Sequence, residues 1–158
     1  MKFLGRRGDH LEFELAARER DALEFVLRRY PALDPGYHQI TRPEGPGMEE
    51  EQRLLVESMA DNQSLNRRRV EEFLARNLKS SPGAAGKSSA VRLHLSLAEA
   101  DWLLEILNDV RLGAWVSLGR PPPGRLPRLK SAARSLADYS AMEIAGYVQT
   151  VVLQALQD

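Results

Sequence analysis

The sequence predicts a mainly α fold: a multi-helix domain with a small β-sheet, organised around two similar strand-helix units. Leu11, Phe13 and Leu15 alternate with Glu12 and Glu14, and 80 positions later Val91, Leu93 and Leu95 alternate with Arg92 and His94. Each alternation puts three apolar side chains on one face of a strand. Each then gives way to helical spacing, in which Glu19 matches Glu99, Asp21 matches Asp101, Leu23 matches Leu103, Val26 matches Ile106 and Leu27 matches Leu107. Neither unit can bury its apolar faces alone, so the two gain by packing together with their strands paired.

Along the chain, residues Lys2 to Leu4 predict a short strand, joined to the strand at Leu11 to Leu15 by a link in which Gly5 and Gly8 supply turn geometry. A first helix is expected from Ala17 to Tyr30, with its stripe at Leu23, Val26 and Leu27 widened by Phe25, and Pro31 encourages its end. Residues 31–47 hold four prolines and read as an irregular connector lying over the core, with Tyr37 and His38 near its middle. Glu49, Glu50 and Glu51 suit the positive end of a helix, which continues through Leu55 and Met59 and resumes through Val70, Phe73, Leu74 and Leu78. Asp61-Asn62-Gln63-Ser64 interrupts that stripe and predicts two helices or one bent helix. The neighbouring run Arg67-Arg68-Arg69 with Glu71-Glu72 reads as a solvated helix face.

Residues 80–89, rich in Ser, Gly and Pro, read as a linker within one helical domain spanning 1–158, and divide it into repeat-bearing halves 1–79 and 90–158. Ser96-Leu97-Ala98-Glu99 has the spacing of a capping box and opens a helix that reaches toward Leu118. Gly119-Arg120-Pro121-Pro122-Pro123-Gly124 forbids its continuation and forms a stiff connection. A last helix is expected over Ser135 to Leu156. Met142, Ala145, Val148, Val152 and Leu156 form a stripe widened by Ala141, Ile144, Val151 and Ala155, a breadth that suits burial on two sides or self-association through this C-terminal helix.

Composition narrows the function. The 158 residues carry 22 basic and 22 acidic side chains, so no global field recruits nucleic acid or an anionic membrane, and the 43% of hydrophobic residues suffices for a substantial core. The absence of Cys removes thiol catalysis, disulfides and thiolate metal sites, and is compatible with the cytoplasm. The apolar stretch at the start is too short for a secretory signal, and no run of about 18 apolar residues predicts a membrane span.

The polar segment Leu107-Asn108-Asp109-Val110-Arg111-Leu112-Gly113 interrupts a helix otherwise rich in core residues. Glu105 and Asn108, Asn108 and Arg111, and Glu105 and Asp109 each share a helix face. Glu105, Asn108, Asp109 and Arg111 are therefore expected to form a structural polar network between helices, with Asn108 and Arg111 substantially buried. Arg111 is best placed to reach a carboxylate or backbone carbonyls, and Gly113 allows close backbone approach. The pattern Leu95-Ser96-Leu97-Ala98-Glu99-Ala100-Asp101-Trp102, the segment Leu107 to Gly113 and the apolar terminal helix resemble an uncharacterised bacterial family, common in actinobacteria and often encoded beside the protease adaptor ClpS. The resemblance sharpens the fold and hints at regulated proteolysis; it implies no activity.

No HExxH, Walker loop, GxGxxG or GxSxG is present, and His10, His38 and His94 are too far apart in sequence to suggest a metal centre. The reading is a protein-interaction or regulatory module without catalysis, metal or cofactor. Its partner-binding surface is expected near Tyr37, Trp115, Arg120, Arg125 and Arg128, where an aromatic anchor is joined by cations. The alternative is a nucleic-acid-binding regulator, because no acidic residue lies between Asp109 and Asp138 whereas Arg111, Arg120, Arg125, Arg128, Lys130 and Arg134 do.

Overall fold

The structure, a computed structural model, describes residues 1–38, 48–78, 90–122 and 132–157. Its three strands, β1 (Lys2–Arg7), β2 (His10–Leu15) and β3 (Val91–Ser96), form an antiparallel sheet in the order β1-β2-β3. The turn from β1 to β2 needs a left-handed residue, which Gly8 supplies at φ 59°. Leu11 pairs with Leu95, Phe13 with Leu93 and Leu15 with Val91. The equivalent positions Phe13 and Leu93 thus face each other, and the two repeated strands are related by a local two-fold axis through that pair. Their alternation sorts the faces: Leu11, Phe13, Leu15, Leu93 and Leu95 are fully buried. On the other face Glu14 sits between Lys2 and Arg92, and Glu12 approaches Arg7 (3.2 Å) and His94 (3.7 Å).

Each of these strands feeds a helix, α1 (Ala17–Leu27) from β2 and α3 (Leu97–Ser117) from β3. The Ser96 hydroxyl accepts the Glu99 N–H (3.2 Å) and the Glu99 carboxylate accepts the Ser96 N–H (3.0 Å), closing the expected capping box. In the first unit Glu19 accepts the Ala16 N–H at 2.8 Å, but alanine has no acceptor to return, so only half of the box forms. The far end of α3 closes by a Schellman arrangement, in which the Gly119 N–H bonds the Val116 carbonyl and the Arg120 N–H the Trp115 carbonyl, both at 3.0 Å. Both Gly119 (φ 82°) and Arg120 (φ 58°) are left-handed there.

Between the two units runs α2 (Met48–Asn77), one continuous helix, so of the two alternatives at Asp61 to Ser64 the pair of separate helices is excluded. Helical geometry is retained because Asp61, Asn62 and Ser64 face solvent, while the Gln63 amide donates to the Leu33 carbonyl (2.9 Å) outside the helix. Its C-terminal part enters the core through Val70, Phe73 and Leu74; Leu54 and Leu65 stand exposed. The linker expected at 80–89 lies outside the described residues.

The last helix, α4 (Ala132–Gln157), packs mainly on α3 and also meets α1 and β1, burying Ala141, Ala145, Val148, Val152 and Ala155. Ile144, Val151 and Leu156 are half-buried and pack against the same core, while Met142 is half-buried at the surface. Residues of both repeat units, α2 and α4 join one hydrophobic core. Among the described residues no helix is long and apolar enough to cross a membrane.

Candidate binding groove on helix α3

Burial along α3 recurs at three and four residues, through Leu103, Ile106, Leu107, Val110 and Ala114, and turns the intervening positions outward. Glu105, Asn108 and Arg111 are exposed; Asp109, Leu112 and Trp115 are half-buried. The expected burial of Asn108 and Arg111 is therefore corrected: both lie off the apolar stripe, where water solvates their polar heads at no desolvation cost. Of the four, only Arg111 and Asn108 bond each other. Glu105 accepts from the Asn66 amide at 3.5 Å, Arg111 donates to Asn108 Oδ1 at 3.5 Å, and Asp109 accepts the Ala32 N–H at 2.7 Å.

Asp109 and Gly113, one helical turn apart, dock the segment that follows α1. A Cβ on Gly113 would lie 2.5 Å from the Ala32 Cβ and 2.7 Å from its carbonyl oxygen. Only a glycine leaves room for that backbone while Asp109 holds its amide. Close backbone approach at Gly113 was legible in the sequence, and the neighbour it admits is this returning segment.

The buried polar groups are elsewhere. Asn66, 6% exposed, accepts the Trp102 indole N–H at 3.0 Å. Burial foremost raises the Tyr30 pKa above its ordinary value. Asp138, 4% exposed, accepts from Arg29 and from the Ser117 hydroxyl (2.6 Å), tying α4 to the ends of α1 and α3. A sequence signal for both exists, since Asn66 is four residues before Val70 and Asp138 three before Ala141, each on the apolar stripe of its own helix.

Against this frame the outward face of α3 borders a groove of about 730 Å³ shared with α4. Leu112 and Trp115 from α3 and Met142 from α4 supply apolar lining, Gly146 keeps the α4 side shallow, and Arg111 and Glu143 add one charge of each sign. A smaller cleft of about 220 Å³ lies on the other flank, where Asn108, Asp109 and Leu112 meet Met59 and Gln63 of α2. Asn108 and Leu112 line both hollows and so form the ridge between them.

The C-terminal end of α3 gathers part of the expected partner-binding set. The Trp115 indole donates to the Pro121 carbonyl at 3.0 Å, and the Arg120 guanidinium lies 6.0 Å from the centre of the Tyr37 ring. Of these, Trp115 lines the groove, while Tyr37 and Arg120 meet beside the C-terminal end of α3 and are not among its lining residues; Arg125 and Arg128 lie outside the described residues. Among the described residues no three metal-ligating side chains converge. No family model, curated protein or solved structure matches this chain. The functional reading accordingly rests on side-chain geometry.

Proposed function

We propose that the protein is a protein-interaction or regulatory module, without a chemical step of its own, that receives a partner along the outward face of α3. The α3/α4 groove carries this reading. Its volume of about 730 Å³ falls within the range of ligand sites, and its pairing of apolar wall with a few polar groups is the usual make-up of a recognition surface. Trp115 is half-buried and braced by its bond to Pro121, so it offers a fixed aromatic surface at little entropic cost. Arg120, 6.0 Å from the centre of the Tyr37 ring, adds a cation beyond the C-terminal end of α3.

The test is capture from nuclease-treated lysate with the wild-type chain and with Thr150→Trp, an exposed position that lines the groove and would be filled by the indole. A defined protein retained by the wild type and lost with the variant supports the reading. Retention of nucleic acid alone, weakening steeply as salt rises, would replace it with the nucleic-acid alternative.

A further inference from the structure

We infer that the α3/α4 groove selects a peptide segment of its partner that presents a carboxylate next to an apolar side chain, with Arg111 as the carboxylate receptor. The inference rests on the groove being the binding surface and adds its chemistry. Arg111 carries five N–H donors in a planar fork. One long bond to Asn108 Oδ1, 3.5 Å, is what engages them, and none of the ion pairs among the described residues includes Arg111. Arg7, Arg20, Arg28, Arg29, Arg53 and Arg76 pair with acids, whereas Arg111, like Arg18, Arg67, Arg68 and Arg92, has no ion pair among the described residues; of these five it is Arg111 that lines the groove. Glu143 lines the same groove yet lies beyond ion-pair distance of Arg111.

The stem of Arg111 is seated by α4. A Cβ on Gly146 would stand 3.9 Å from the Arg111 Cδ, so the side chain lies across the helix where it is narrowest. Arg111 shares the groove with Leu112, Trp115 and Met142, whose apolar surfaces thin the solvent around an incoming ion pair and strengthen it over one on an open surface. A bidentate carboxylate matches the free fork in both charge and plane. An apolar neighbour on the same peptide matches the wall. Glu143 provides a charged acceptor, suited to a peptide N–H and adverse to a second acid.

The experiment follows the backbone and indole N–H signals of the full chain by NMR while two capped peptides are added, acetyl-Leu-Asp-Phe amide and its uncharged counterpart acetyl-Leu-Asn-Phe amide. The Asp peptide is expected to shift the signals of Arg111, Trp115 and Gly146 and to bind about tenfold more tightly than the Asn peptide, as one charge-assisted bidentate contact predicts. Arg111→Gln should abolish that preference, and because Arg111 is exposed with a single long hydrogen bond the variant should keep the wild-type spectrum elsewhere. Equal binding of the two peptides in the groove would overturn the carboxylate inference and leave the groove reading standing. No shift at the groove with either peptide would overturn both.

Discussion

Replacing Gly113 by Ala sets two effects of opposite sign against each other, and the structure decides between them. In an unencumbered helix interior the change stabilises by about 1 kcal/mol, the difference in helix propensity. At Gly113 the new methyl would meet the Ala32 Cβ at 2.5 Å, its carbonyl oxygen at 2.7 Å and its carbonyl carbon at 2.8 Å, whereas ordinary contact begins near 3.4 Å. The segment would have to retreat by about 1 Å, an overpacking that costs about 1–3 kcal/mol. It cannot do so freely, because Asp109 holds the Ala32 amide at 2.7 Å and Gln63 the Leu33 carbonyl at 2.9 Å. Stretching either bond adds about 1 kcal/mol. The expected net loss is about 1–3 kcal/mol, read as a lower urea midpoint with an unchanged slope. Gly146→Ala is the internal control: its nearest contact would be the Arg111 Cδ at 3.9 Å, so the propensity term should win and the midpoint should rise. A Gly113→Ala variant as stable as Gly146→Ala would refute the docking of residue 32 against α3.

Three further outcomes follow from the same contacts. Asn66→Ala strands the buried Trp102 indole N–H and should cost about 1–3 kcal/mol in urea unfolding, with a changed near-ultraviolet circular dichroism signal from that indole. Asp138→Asn weakens acceptance from Arg29 and Ser117 at the meeting of α1, α3 and α4; a lower thermal midpoint is expected, and an unchanged one would show that the cluster contributes nothing to stability. For Glu99, burial acts to raise the carboxyl pKa but is outweighed by the Ser96 N–H and hydroxyl and by Arg76, so the folded pKa lies below the ordinary value. Its stabilising contribution is therefore present above the unfolded carboxyl pKa and lost as pH falls through the folded one, and the stability gap between wild type and Glu99→Gln should close on acidification through that window.

Much of the fold was legible because local signals agree with one another. The alternation at Leu11 to Leu15 and Val91 to Leu95 named two strands whose inner positions Leu11, Phe13, Leu15, Leu93 and Leu95 are fully buried, with Val91 half-buried at the edge, and Ser96 with Glu99 named the start of α3. Ala141, Val148 and Val152 likewise marked the buried face of α4. What the sequence obscured were choices set by tertiary partners. Asp61 to Ser64 looks like a break in α2, yet a solvent-facing Asp and an outward-bonding Gln are both compatible with an unbroken helix. Asn108 and Arg111 looked like a buried network because polar residues crowd a core helix there. The i, i+3, i+4 stripe through Leu103, Ile106, Leu107 and Val110 places them off the core, so the phase of the helix and not the polarity of its residues sets their exposure. Asn66 and Asp138 went unnoticed for the converse reason: they occupy the stripe itself, where only the partners Trp102 and Arg29 explain a polar side chain.

The claim that binding occurs on the outward face of α3 is tested most directly by site-specific photo-crosslinking in cells. A benzophenone side chain placed at Met142, in the groove, and at Leu136, exposed on α4 and not among the groove-lining residues, samples the two surfaces of one helix in otherwise identical chains. The account predicts a discrete protein adduct from position 142, absent from position 136 and diminished when Arg111→Gln is added. Adducts of equal yield from both positions, or from position 136 alone, would contradict it.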